Sequence, residues 1–137
     1  MKSRIKYVFL FCLIILIGGG LRLAGLERRP MHNDEAVNSL KFGTLLESGN
    51  YTYDKKEYHG PVLYYLTLIP AYLSKTSRFS ELHEWQLRII PAIAGIGLLI
   101  LLLFLKNIIG WEHILSVTFI GAISPAMVFY SRYFIHE

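Results

Sequence analysis

The sequence predicts an all-α integral membrane fold, and three observations predict it. The hydrophobic fraction is 53% in a chain of 137 residues. Its apolar runs are too long and too uncharged for a soluble domain of this size. A basic cluster, Lys2, Arg4 and Lys6, stands directly before the first run. Inside hydrocarbon every backbone N–H and C=O must bond within the protein, so runs of this kind are expected to be helices.

The first run, 7–26, is apolar apart from Arg22, and about 20 helical residues at ~1.5 Å each cover the ~30 Å hydrocarbon layer. Arg22 lies near one end, where it is expected to snorkel. The basic flank also resembles the n-region of a signal peptide. However, Gly18-Gly19-Gly20-Leu21-Arg22 offers no small-x-small cleavage site, so the run is read as retained. Two further spans are expected at 88–105 and 114–131, each about 17 residues before flanking positions are added. The stretch 61–73 has only about 12 apolar residues, ~18 Å of helix, and carries Pro61 and Pro70. It is too short to cross. Tyr64, Tyr65 and Tyr72 suit the headgroup boundary, so 61–73 is read as an interfacial or re-entrant helix.

Topology follows from the bases. Lys2, Arg4 and Lys6 hold the amino terminus in the cytoplasm, which makes 27–87 an extracytoplasmic loop. Span 88–105 then returns inward, 106–113 turns, and 114–131 leads out again. Asp34, Glu35, His136 and Glu137 share the outer compartment on this reading. A true crossing by 61–73 would invert the parity.

Within the loop, Asn33 is an N-cap residue type, Asp34 and Glu35 suit a first helical turn, and Gly49-Asn50 supplies a stop, so 34–48 reads as a second juxtamembrane helix. Pro91 fits the first turn of the next span, with Arg88 before it. Ala92, Ala94, Gly95 and Gly97 give that span a smooth packing face. The single cysteine, Cys12, excludes a disulfide framework and a clustered-thiolate zinc site. The net charge of +4 is scattered through loops, which argues against a nucleic-acid partner. The chain stops just after an apolar run, and it is read as the amino-terminal part of a longer protein.

Three constellations could carry chemistry. In His32-Asn33-Asp34-Glu35, adjacent carboxylates diverge by ~100° on a helix, so one could accept a proton while the other binds hydroxyls or a cation. Both could equally serve the helix dipole. In Tyr58-His59-Gly60-Pro61, His59 stands at a helix mouth, where it could bind phosphate or metal or cap a turn. In Tyr130-Ser131-Arg132-Tyr133-Phe134-Ile135-His136-Glu137, Arg132 could pair with a lipid phosphate or belong to an aromatic belt. His136 and Glu137 have metal-ligand chemistry.

Together these pieces resemble the amino-terminal region of the GT-C superfamily of multi-span glycosyltransferases, which includes protein O-mannosyltransferases and lipid A aminoarabinose transferases. The nearest likeness is to the prokaryotic flippase-activity-associated membrane proteins. The matching elements are His32-Asn33-Asp34-Glu35-Ala36, Gly49-Asn50-Tyr51-Thr52-Tyr53-Asp54, Tyr58-His59-Gly60-Pro61-Val62-Leu63-Tyr64-Tyr65, Arg88-Ile89-Ile90-Pro91-Ala92-Ile93-Ala94-Gly95, and Ser124-Pro125 leading to Tyr130-Ser131-Arg132. Their order and spacing are more specific than any one of them.

The resemblance implies inverting transfer of a glycosyl group from a polyprenyl-phosphate sugar to a glycan, lipid or protein acceptor outside the cytoplasm. It makes Asp34 and Glu35 the catalytic carboxylates and His32, His59, Tyr64, Arg132, His136 and Glu137 the substrate-binding set. A divalent cation would fall to His59, His136 and Glu137, and no other cofactor is implied. Relatives often carry an Asp-containing pair where this chain has His136-Glu137. Such enzymes use more spans than three, so residues 1–137 alone are expected to be inactive. The competing reading is a non-catalytic membrane accessory of lipid-linked glycan assembly or flipping. A transporter is less favoured, because ionisable residues gather outside the spans.

Overall fold

The computed structural model describes residues 2–53, 55 and 60–135. Among them all regular structure is helical: α1 Lys2–Leu23, α2 Asn33–Ser48, α3 Val62–Leu73, α4 Glu84–Leu101, α5 Lys106–Ile109, α6 Trp111–Ile123 and α7 Pro125–Tyr130, with 3-10 turns at Phe79–Glu81 and Leu102–Leu105. Two helical stretches, Arg4–Leu23 (20 residues) and Glu84–Ile109 (26 residues), are long and apolar enough to cross a membrane; α3 and α6 are shorter. The chain divides into two compact units, one from Met1–Ala24 and Pro91–Arg132, the other from Gly25–Ile90 and Tyr133–Glu137.

The unit containing the long loop is built on a cluster of Phe42, Leu45, Tyr64, Ala71, Leu87 and Phe134. Phe79 lies against Gly43 of α2, where a Cβ would come within 3.0 Å of the ring Cγ. The Phe79 N–H donates to Glu47 at 2.8 Å. Helix α4 begins at Glu84, several residues before the expected start of the span, so Pro91 lies two turns in rather than in the first turn. Gln86 explains the early start. Its carboxamide oxygen accepts the His83 N–H at 2.7 Å, satisfying a donor that a helix start leaves bare. Its nitrogen donates to Thr76 and Ser74.

Helix α3 is apolar on both sides. Tyr64, Thr67, Pro70 and Ala71 are buried, while Val62, Tyr65, Leu66, Ile69, Tyr72 and Leu73 are exposed. The exposed set recurs at three- and four-residue intervals, which places it on one helical stripe. Tyr64 therefore departs from the expectation: it is a core residue, and only Tyr65 and Tyr72 face outward.

In the other unit, α1 packs along α6. A Cβ at Gly18 would stand 3.0 Å from both Ala122 Cβ and Leu99 Cδ1, so this close approach requires glycine. Ile114, Thr118 and Ala122, four residues apart, form the buried stripe of α6. The expected third span is broken in two. Pro125 has no N–H to offer back along the helix, and it forces Ser124 out of helical geometry to φ −57°, ψ 120°. Ser124 then starts α7.

That break leaves the carbonyls at the end of α6 without intrahelical donors, and Arg22 supplies them. Its guanidinium donates to Gly121 O at 3.0 Å, Ala122 O at 3.1 Å, Gly18 O at 3.1 Å and Ser131 Oγ at 3.2 Å. The side chain is fully buried, so the expected snorkelling does not occur. A charged donor set that meets four acceptors in the interior has no reason to seek the surface. Replacing Arg22 by Leu should orphan the Gly121 and Ala122 carbonyls, at roughly 1–3 kcal/mol each. Unfolding of the detergent-solubilised chain in mixed micelles measures this, and equal midpoints for R22L and wild type would contradict it.

Candidate functional site

The acidic motif is held by the start of α2. His32, not Asn33, is its N-cap: the backbone is extended at φ −76°, ψ 160°, and Nδ1 accepts the Asp34 N–H at 3.3 Å. Glu35 closes the reciprocal half of a capping box by accepting the His32 N–H at 3.2 Å. Asn33 is the stronger capping type, but the second bond from Glu35 decides the register. Accepting at Nδ1 requires a neutral His32 protonated on Nε2. The same nitrogen lies 3.3 Å from Asp34 Oδ2.

The two carboxylates have opposite surroundings. Glu35 is fully buried. Its Oε1 accepts Arg88 Nε at 3.0 Å and the Phe134 N–H at 3.1 Å. Its Oε2 accepts Arg29 at 2.8 Å and Arg88 Nη2 at 3.1 Å. Arg88, equally buried, also donates to Leu26 O at 2.6 Å and Arg29 O at 2.9 Å. Burial alone would raise the Glu35 pKa. The Arg88 hydrogen bonds, the N–H groups of Phe134 and His32 and the Arg88 charge outweigh it and hold the carboxyl below the ordinary glutamate value.

Glu35 is thus ionised, saturated with donors and turned away from solvent. The expectation that it shares the chemistry with Asp34 does not match this placement, which makes it an anchor. Asp34 keeps 64% of its side chain exposed. The backbone beneath it is fixed: Asn38 donates to Asp34 O at 3.0 Å, and the Tyr64 hydroxyl donates to Asn38 Oδ1 at 2.6 Å. Burial, followed by the neighbouring Tyr51, pushes the Tyr64 pKa up to about 12, so it remains a neutral donor. Tyr64 was expected to bind substrate, but it lies in the core and supports Asp34 through Asn38. Beside the cap, the His32 ring meets Tyr133 edge-on at 5.5 Å, and Arg29 covers the Tyr133 ring at 4.8 Å.

Arg132 belongs to the other unit. Its guanidinium donates to Leu21 O at 3.3 Å and Ala24 O at 2.8 Å, capping the end of α1. His59, His136 and Glu137 lie outside the described residues, as do Asp54 and Tyr58 of the motifs. Among the described residues no three His, Cys, Asp or Glu side chains gather to hold a metal.

No protein-family model, curated protein or solved structure matches this chain.

Sequence reasoning did not foresee Arg88, Arg29, Asn38 or the Phe134 N–H as parts of this site. One signal was present: His32 and Glu35 have the cap-x-x-Glu spacing of a capping box. Arg29 and Asn38 lie only six and four positions from their partners, whereas Arg88 and the Phe134 N–H come from 53 and 99 positions away along the chain, beyond any local pattern.

Breaking the buried pair on one side, by Glu35→Gln, should cost about 3–5 kcal/mol at neutral pH. The sign with pH follows from the depressed carboxyl. Its contribution is complete above the ordinary glutamate value of about 4.3 and is lost as pH falls through the lower folded-state value. The stability gap between wild type and E35Q should therefore narrow below about pH 4. Chemical unfolding at a series of pH values checks this, and a gap that widens in acid would contradict it.

Proposed function

We propose that this chain belongs to a membrane glycosyltransferase of GT-C type, which moves a glycosyl group from a polyprenyl-phosphate-linked sugar to an acceptor on the extracytoplasmic side. The single observation that carries the reading is the exposed Asp34 carboxylate, fixed from below by a fully buried Glu35–Arg88 pair. A rigid support of this kind is costly in a small loop unit, and a carboxylate serving only the helix dipole would not require it. The ordered motifs that resemble the GT-C amino-terminal region support the same reading.

In the proposed reaction Asp34 takes the proton from an acceptor hydroxyl as its oxygen attacks the anomeric carbon. The bond from that carbon to the phosphate oxygen breaks, and the polyprenyl phosphate leaves with the electron pair. Attack from the face opposite the phosphate inverts the anomeric centre. Glu35, Arg88, Asn38 and Tyr64 act as positioning residues. His32 adjoins the carboxylate and can hydrogen-bond an acceptor hydroxyl through Nε2–H. The basic residues near the motif could steady the departing phosphate. Cell-membrane placement with a cytoplasmic amino terminus belongs to this proposal and rests on the basic cluster before α1.

Asp34→Asn in the full-length protein tests it. Removal of a general base should lower transfer from a polyprenyl-phosphate hexose by about 10²–10⁴-fold. Because Asp34 is exposed, unfolding should change little. Unaltered transfer in a well-folded D34N protein would remove Asp34 as the base and sink this mechanism, and absence of transfer by the wild-type protein would favour the non-catalytic accessory.

A further inference from the structure

We propose that the end of the first unit where α1 starts and α6 begins is a binding surface for anionic phospholipid headgroups. Two helices long enough to cross a membrane bring cations to this end. Arg4 and Lys6 stand exposed at the start of α1, and Lys106 stands near the end of the 26-residue stretch.

An aromatic stack lies among them. Tyr7 and Trp111 are nearly parallel, at 8°, with ring centroids 5.9 Å apart, and the Lys106 ammonium lies 5.7 Å over the Trp111 ring. Arg4 precedes Tyr7 by three residues and so shares its face of α1. Gly110 fixes the approach. At φ +81°, ψ 162° it occupies a conformation that essentially only glycine adopts, and it turns the chain so that Trp111 begins α6 beside Tyr7.

The charge at this end is unbalanced. Among the described residues three cations, Arg4, Lys6 and Lys106, accompany one carboxylate, Glu112, which is already 3.5 Å from the Tyr7 hydroxyl. The Trp111 indole N–H has no hydrogen-bond partner among the described residues and remains available as a donor. Tryptophan and tyrosine at the end of apolar helices match the headgroup level, and Lys and Arg there attract anionic lipid. A phosphodiester beside the stack would meet ammonium, guanidinium and indole donors together. This inference does not depend on Asp34 or on glycosyl transfer.

Trp85 and Trp111 are the two tryptophans of the chain, so W85F leaves Trp111 as the reporter. The 137-residue W85F chain is placed in phosphatidylcholine vesicles carrying either brominated phosphatidylglycerol or brominated phosphatidylcholine. The expected result is a relative association of about five-fold or more for phosphatidylglycerol, read from Trp111 quenching. The preference should fall towards unity in R4Q/K6Q/K106Q and in high salt. Equal quenching by the two lipids would overturn the proposal, as would a preference that survives both the substitutions and the salt. The comparison on W85F leaves the patch intact, so misfolding of the triple variant cannot rescue or mask the outcome.

Discussion

A carboxylate taken out of water must find cations and donors, and the loop unit is arranged around that requirement at Glu35. Arg88 arrives from α4, Arg29 from the turn after α1, the His32 N–H from the cap and the Phe134 N–H from the far end of the chain. Each donor belongs to a different segment. The ion pair therefore does more than lower the energy of one side chain: it sets the start of α2, ties down the 26–29 turn and fixes residue 134 in the core. Ion pairs of this kind add little stability compared with apolar packing, but losing one partner is costly. Their value here is positional, and the exposed neighbour Asp34 inherits the order.

Arg22 meets the same physics in a different setting. It has no carboxylate among its acceptors and is held by carbonyls and a hydroxyl. Its main acceptors are the carbonyls that Pro125 and the bend at Ser124 leave open. A proline that would be expensive in an apolar helix is compatible here because a residue about 100 positions earlier completes the hydrogen bonding. Small residues make the approach feasible: Gly18 against Ala122, and Gly95 beside Ser131 and Arg22.

Much of the architecture could be read from composition and length. Long uncharged runs have one economical conformation in hydrocarbon, so α1 and the helix around 88–105 were visible as apolar lengths. The helix at 34–48 was visible from its acidic first turn and its Gly49 stop. What escaped was whatever depends on a distant partner. Arg22 looked like a snorkelling residue because nothing nearby in sequence signals the open carbonyls of α6. Tyr64 looked like a boundary tyrosine because its composition fits both faces of α3, and only packing against Phe42, Phe134 and Asn38 chooses the inner one. Asp34 and Glu35 looked equivalent. Rotation of ~100° along the helix sends one to solvent and the other to Arg88.

The exposed stripe of α3 bears on how the loop between the two long helices can be handled. A segment of that length, with its own aromatic core, invites expression as a free-standing domain. Val62, Leu66, Ile69 and Leu73 would then confront bulk water on one continuous ridge, and separate copies would clump along it. Handling it as a separate piece would therefore call for detergent or lipid along that ridge.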